Sequence, residues 1–117
     1  KNNIIKGKEN SINYYFRTIH DFPPNDLPRV LDDIKKNYTS GIIVLFGVYK
    51  KNISIIVGVT KNLLSKINAI EIVKKLSEVL GGKGGGGRPD FARGGGGNKV
   101  KNIPKSCESV LNLIKKI

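Results

Sequence analysis

Residues 81–97 read GGKGGGGRPDFARGGGG and hold ten of the fourteen glycines in the chain. Glycine has no side chain and tolerates positive φ, so such a run lets backbone N–H groups approach a ligand closely. Lys83, Arg88 and Arg93 lie within the run beside a single acid, Asp90. Fixed cations among bare N–H donors suit a polyanion, above all a phosphate backbone. Two alternatives need no ligand. The run is then a flexible linker, or a tight turn that lets a strand pass close to a helix.

The segment before the glycine run has the pattern of an amphipathic helix. Asn68 is followed three residues later by Glu71, which is typical of a capping box at a helix start. Apolar residues then recur at helical spacing as far as Leu80, and Gly81 follows as a C-terminal cap residue. The run therefore leaves a helix C-terminus, whereas P-loops and dinucleotide folds lead from a strand through glycines into a helix N-terminus.

Farther from the run, the pattern predicts three strands and two more helices. Residues 12–19 alternate and are rich in aromatic and β-branched side chains, as in a strand. Residues 42–48 and 53–59 are apolar runs with a short link, which predicts an antiparallel hairpin covered on both faces. Gly47 and Gly58 inside them indicate a bulge or a close backbone contact. The two helices are predicted to begin at Asp26 and Asn102.

These elements predict the α/β class (α+β-like), as a single domain with a mixed sheet of about four to five strands and helices packed on it. We expect the globular domain over residues 12–117, with a glycine-rich loop at 81–97 in which 91–93 are a candidate further strand. Residues 1–11 are expected to be the remnant of a preceding helical segment or a linker. Phe91 is expected to bury its ring as an anchor, and base stacking on it is the alternative.

The composition favours an anionic partner and no catalysis. The chain has 21 basic and 9 acidic residues, a net charge of +12, which suits nucleic acid or an anionic membrane surface. Cys107 falls in the apolar pattern of the last helix, so we expect a buried thiol in a reducing compartment. His20 is alone, and neither a metal-ligand cluster nor a nucleophile–base pair is visible. No metal, cofactor or membrane span is expected.

The run GGKGGGGRPDFARGG at residues 81–95 resembles the signature of the C-terminal domain of alanyl-tRNA synthetase, called C-Ala. C-Ala is a DHH-associated domain, a type that DHH-family phosphoesterases also carry. Four glycines separate Lys83 from Arg88 here, where the common form has three, and Arg93 stands where many members have Gln. The phosphoesterases have a histidine after their glycine triplet, at the position of Arg88, so the resemblance does not imply a nuclease.

The resemblance implies an accessory domain that holds tRNA, in particular alanine tRNA, at the elbow where the D- and T-loops meet. It would support aminoacylation and editing by the other domains of the synthetase, which would use ATP, Mg and Zn elsewhere. A cytoplasmic location and a monomeric fragment without catalytic residues are expected. The alternatives are a structural or dimerisation module and a single-stranded nucleic-acid-binding domain of a DHH-family phosphoesterase. From the motif and the basic link that follows it, the predicted tRNA-binding residues are Lys83, Gly84, Gly85, Gly86, Arg88, Arg93, Lys99 and Lys101. Asp90 is expected to orient Arg88 or to cap the turn.

Overall fold

A computed structural model describes residues 3–117 as six strands and three α-helices. Short 3₁₀ turns lie at Pro24–Asp26, Lys61–Leu63 and Val100–Asn102. In chain order the elements are β1 (Asn3–Glu9), β2 (Ile12–His20), α1 (Leu27–Lys35), β3 (Ile42–Tyr49), β4 (Asn52–Val59), α2 (Ala69–Leu80), β5 (Gly84–Arg88), β6 (Phe91–Gly95) and α3 (Ile103–Lys115).

The strands form one mixed sheet in the order β1-β2-β3-β4-β6-β5. β2 and β3 are parallel, with α1 as the crossover between them, and every other neighbouring pair is antiparallel. Residues 10–11 join β1 to β2 and residues 50–51 join β3 to β4, in both cases with two residues at positive φ. Such turns match the twist of the strands that they connect, which fixes the register of both hairpins.

The helices divide the sheet into two faces. On one, the α1 face, α1 packs over β3 and β4, where a Cβ at Gly47 or Gly58 would approach methyl carbons of Leu27 and Leu31 to 3.0 and 3.3 Å. The predicted close contact at these two glycines is therefore confirmed. On the other, the α2–α3 face, α2 packs against β4, β5 and β6, and α3 packs against α2. Most of the core lies on that face.

The central hairpin is buried on both faces, as its apolar sequence predicts. Every residue of β3 from Ile42 to Val48 is buried. Its odd-numbered and even-numbered residues belong to different hydrophobic clusters, one on each face of the sheet. Val44 and Phe46 pack with α2 and α3, whereas Ile43 and Leu45 pack with α1. A continuous apolar strand is the pattern that a sheet covered on both faces requires.

The helix ends agree with the sequence at α2 and differ at the other two. At α2, Asn68 Oδ1 accepts from the Glu71 amide at 2.9 Å and Glu71 Oε1 accepts from the Asn68 amide at 3.2 Å, which confirms the capping box. Gly81 ends the helix with a φ of 81°. Asp26 and Asn102 make no side-chain cap, because each lies in a 3₁₀ turn whose right-handed backbone cannot aim the side chain at the first amides.

Two strands were not predicted, so the sheet has six strands instead of four to five. From Asn3 onward, the expected remnant or linker is β1, while residues 1 and 2 lie outside the described residues. β1 pairs only with β2 and is mostly exposed, so its sequence lacks the apolar pattern of a covered strand. The expected loop at 81–97 is largely a hairpin of β5 and β6. β6 includes the candidate strand at 91–93.

Candidate nucleic-acid interface

The glycine run forms a hairpin at the edge of the sheet opposite β1. Its register pairs Gly86 with Arg93 and Arg88 with Phe91. Because side chains of a strand alternate between faces, every second residue of the hairpin points to the α1 face. Helix α1 lies over β3 and β4 and leaves this part of the sheet uncovered. The hairpin residues on the α1 face are Gly84, Gly86, Arg88, Phe91, Arg93 and Gly95, of which Phe91 is partly covered.

On the opposite side of the hairpin, close packing explains why the residues are glycine. A Cβ at Gly85 would overlap the carbonyl oxygen of Arg93, and a Cβ at Gly94 would lie 2.7 Å from Val73 Cγ1 on α2. Gly87 has a φ of 151° and would place a Cβ 2.5 Å from the Phe91 carbonyl oxygen. These glycines allow β5 to approach β6, and α2 to approach both strands. The tight-packing alternative is therefore correct for this half of the run.

The glycines on the uncovered face have no such neighbours. A Cβ at Gly84, Gly86 or Gly95 would meet no atom within 4 Å, and we call these three residues the glycine floor. Gly84 has a φ of 86°, a left-handed conformation that favours glycine. Gly86 and Gly95 do not have positive φ, so neither backbone conformation nor packing within the described residues requires glycine there.

Arg88 is held at the tip of the hairpin by two contacts. Its Nε donates to Asp90 Oδ1 at 3.2 Å, and its guanidinium lies 5.3 Å from the centre of the Phe91 ring. The hydrogen bond from Arg88 lowers the pKa of Asp90, and the positive charges of Arg88 and Lys35 lower it further, against the opposing effect of burial. The contact with Asp90 confirms the expected orientation of Arg88. The side chain of Arg88 is still 71% exposed and can reach a ligand.

Phe91 is an anchor for the hairpin. Its ring is half-buried against the cluster beneath α1, as predicted. Arg88 lies over the ring, where a base would have to stack. The carbonyl oxygens of Pro89 and Asp90 accept from the amides of Ala69 and Val59 at 2.7 and 3.0 Å. The tip is thus tied to the first residue of α2 and the last residue of β4.

The remaining cations that the sequence indicated do not all reach this face. Arg93 is exposed beside the floor, with Nη2 3.5 Å from the Pro24 carbonyl oxygen. Lys83 is exposed at the open end of the hairpin, where it lines a shallow depression with Gly95. Lys99 lies along Gly81 at the end of α2, where a cation also interacts favourably with the helix dipole. Lys101 lines a separate groove on the α2–α3 face.

Few backbone N–H groups of the hairpin are free to bind a ligand. In a sheet, N–H groups lie in the plane of the strands, so β6, which has a neighbour on each side, uses its amides for pairing. Within the described hairpin of β5 and β6, only the outer edge of β5 has free N–H groups. The backbone N–H donors that the sequence predicted for this run are therefore limited to that edge. The glycine floor offers flat peptide surface instead. Gly95 was missing from the predicted site because only the register shows that it shares a face with Gly86.

The described residues show neither a metal-binding cluster nor a helix that could span a membrane. Among residues 3–117, no group of three or more His, Cys, Asp and Glu side chains gathers to hold a metal ion. None of the three described helices is long and apolar enough to cross a membrane. Cys107 is buried as predicted, and burial raises the pKa of its thiol to about 12.

Comparison with known proteins identifies relatives over most of the chain. The family model described as the DHHA1 domain matches residues 11–116. The alanine–tRNA ligase of Paramagnetospirillum magneticum is 47% identical over 87 residues, which are 74% of this chain and 10% of that protein. The alanine–tRNA ligase of Chelativorans sp. is 38% identical over 100 residues, 85% of this chain and 11% of that protein. The chain thus spans about a tenth of the length of the curated relatives it matches.

Solved structures share the fold. The crystal structure of the C-Ala domain from Aquifex aeolicus alanyl-tRNA synthetase superposes with a TM-score of 0.86 at 22% identity, over 95% of this chain and 98% of that chain. A DHH domain structure, described as a member of the s1p family of ribosomal proteins, gives a TM-score of 0.57 at 22% identity, over 92% of this chain and 28% of that chain. At this identity both likenesses concern the fold alone.

Proposed function

The chain belongs to the DHHA1 domain family, and from that premise we propose that it is the tRNA-binding accessory domain of an alanyl-tRNA synthetase. The resemblance that the glycine run predicted is confirmed, since the curated relatives are alanine–tRNA ligases and a structural neighbour is a C-Ala domain. The matched residues make up only 10% and 11% of those two relatives. The catalytic and editing domains would therefore be its partners within one protein.

The observation that carries the proposal is the glycine floor. Gly86 and Gly95 are exposed and open on the uncovered face, and nothing in the described fold requires glycine at either position. A ligand that lies directly on the peptide surface would require it, because any side chain would hold that ligand away. Arg88 and Arg93 border the floor and Lys83 lies at its open end, so the ligand is expected to be anionic.

We infer that the cations, the free amides and the glycine floor of this surface contact different groups of the RNA. The three cations would contact phosphates of the tRNA, and the free amides at the edge of β5 would donate to phosphate oxygens. The floor would contact the flat groups of the RNA by van der Waals attraction. Such recognition reads shape and backbone more than sequence, which suits the elbow of tRNA. The choice of alanine tRNA would rest with the rest of the synthetase.

The test is a tRNA titration with valine placed on the floor. Gly86→Val and Gly95→Val should each weaken binding of alanine tRNA by about tenfold, the equivalent of about 1.4 kcal/mol. Both should leave Tm nearly unchanged, because the new side chains point into open space. Asn112→Leu adds similar bulk to the exposed side of α3, on the α2–α3 face, and serves as the control.

The same titration separates the alternatives. Unchanged tRNA binding by both valine variants would remove the proposal and leave a structural or dimerisation role, which sedimentation of the chain would detect as self-association. A single-stranded DNA of the same length as the tRNA tests the phosphoesterase-type alternative. Equal affinity for that DNA and for tRNA would contradict recognition of the elbow.

A further inference from the structure

At the sheet edge opposite the glycine hairpin, no described strand pairs with the outer side of β1. β1 pairs with β2 through the two-residue turn at 10–11, so Glu9 and Ile12 form a hydrogen-bonded pair and the pairs alternate from there. By this alternation Ile4, Lys6 and Lys8 direct their backbone N–H and C=O groups away from β2. Within the described residues no strand takes up these groups, because β1 ends the sheet. This edge can accept one more strand.

On the α1 face this edge presents cations without acids. Lys6 and Lys8 lie on this face, where Ile4 pairs with Arg17. The Nε of Arg17 is buried and has no hydrogen-bond partner among the described residues. None of the ion pairs of the described residues includes these three cations. A buried charged donor without an acceptor is costly, so negative charge brought close to the Arg17 guanidinium would be favoured.

On the α2–α3 face the same edge borders a groove of about 570 Å³ between β1, β2 and the start of α3, lined by both apolar and polar side chains. Its lining includes Ile5, Phe16, Ile103 and Cys107. Ile4 and Ile5, at 49% and 47%, have the largest exposed fractions among the large apolar side chains of the described residues. The edge therefore combines free backbone groups, a groove with apolar side chains on one face and unpaired cations on the other.

We propose that β1 is a docking edge for an extended segment of a partner polypeptide in which acidic and apolar side chains alternate. The segment would pair with the backbone of Ile4, Lys6 and Lys8 as a seventh strand. Its apolar side chains would enter the groove, and its carboxylates would meet Lys6, Lys8 and the guanidinium group of Arg17. Strand addition of this kind draws affinity from main-chain hydrogen bonds and specificity from alternate side chains.

The charges and side chains of β1 argue against other occupants. Antiparallel pairing of β1 with β1 of a second copy, centred on Lys6, would bring the two Lys6 side chains together, which like charges disfavour. RNA would satisfy the cations but would leave Ile4, Ile5 and the outward carbonyl groups without partners. A polypeptide strand satisfies all three features, since protein interfaces combine apolar side chains, arginine and backbone pairing.

The proposal is tested with a fluorescein-labelled ten-residue peptide of alternating glutamate and valine, added to the 117-residue chain and followed by fluorescence anisotropy. The control peptide carries lysine in place of glutamate. We expect the acidic peptide to bind and to slow hydrogen exchange at the amides of Ile4, Lys6 and Lys8. Arg17→Gln should weaken it about tenfold, as for a lost hydrogen bond to a charged group. The matched control is Arg29→Gln, on the exposed side of α1.

A pair of variants at one position separates backbone pairing from charge. Lys6→Gln removes the charge alone, whereas Lys6→Pro also removes the outward N–H and should weaken binding further, with Tm as a check on folding. Equal binding of the two peptides, or equal affinity of all variants, would overturn the proposal. Dimerisation that Lys6→Pro abolishes would assign the edge to a second copy instead. Loss of tRNA binding in Arg17→Gln would assign it to RNA, and both results would also overturn the proposal.

Discussion

Gly85 and Gly86 are neighbours in the sequence with opposite surroundings in the fold. A Cβ at Gly85 would overlap the backbone of Arg93, while a Cβ at Gly86 would meet nothing. We expect Gly85→Ala to lower the free energy of unfolding by at least about 2 kcal/mol, because the hairpin backbone has to shift. Gly86→Ala should leave it unchanged or raise it by up to about 1 kcal/mol, because alanine restricts the unfolded chain. Urea denaturation measures both, and similar losses would contradict the assignment of faces.

The thiol of Cys107 provides a second prediction at this scale. Burial raises its pKa to about 12, so at pH 8 fewer than about one thiol in a thousand is the reactive thiolate. The native chain should react with 5,5′-dithiobis(2-nitrobenzoate) at least about a hundred times more slowly than the chain in urea. Equal rates would mean that the start of α3 opens readily and that the groove beside β1 is not preformed.

Individual residues were predictable where their neighbours in sequence determine their role. Asn68, Glu71 and Gly81 act within one helix, so spacing alone indicated the cap at each end. Gly86 and Gly95 could not be distinguished from the glycines around them, because their difference lies in contacts across strands. Lys101 was assigned to the site by its closeness in sequence, but α3 begins on the other face of the sheet.

At the scale of elements, the hairpin tip links three parts of the molecule. The carbonyl groups of Pro89 and Asp90 satisfy the first amide of α2 and the last amide of β4, two groups at element ends that need partners. The Asp90 side chain holds Arg88 over Phe91. The arginine beside the glycine floor is therefore positioned by the same turn that anchors the hairpin.

This arrangement predicts a pH dependence. The pKa of Asp90 is lower in the folded chain than its ordinary value near 3.8, so its contribution to stability is present above that value and is lost as pH falls through the folded pKa. Asp90→Asn should reduce the free energy of unfolding by less than about 1 kcal/mol at pH 7, because the pair is exposed. The difference from the unmodified chain should shrink as pH falls through the folded pKa of Asp90, which lies below its ordinary value. Urea titrations from pH 2.5 to 7 test this, and a difference that grows with acid would contradict it.

Elements were predictable from sequence when the polarity of their side chains reflects burial against other elements. β3, β4 and α2 are covered by other elements, so β3 and β4 are apolar runs and the apolar residues of α2 recur at helical spacing. β5 has four glycines in five residues and carries no pattern, and β1 has one partner strand and mostly exposed side chains. Both unpredicted strands lie at the edges of the sheet, where strand formation depends on pairing with a distant segment more than on burial of the strand's own side chains.

For the whole molecule, the question is whether binding follows from total charge or from placement. The net charge of +12 would attract any polyanion at low salt. The sheet separates its cations, with Arg88 and Arg93 beside the glycine floor and Lys101 and Lys105 at the start of α3 on the opposite face. Two variants with the same loss of charge can therefore distinguish the two causes.

We predict that the double variant Arg88→Ala/Arg93→Ala loses more than Lys101→Ala/Lys105→Ala, although both remove two charges. Each phosphate contact contributes about −0.7 to −0.9 to the slope of log K against log salt concentration, so contacts from Lys83, Arg88 and Arg93 give a slope of about −2 to −3 for the unmodified chain. The arginine variant should retain a slope of about −1, while the lysine variant should keep the original slope and nearly the original affinity. Titrations of tRNA at four salt concentrations between 50 and 300 mM measure this, with Tm as the control for folding. Equal reductions in the two variants would mean that binding depends on net charge, and the hairpin would then have no special role in holding tRNA.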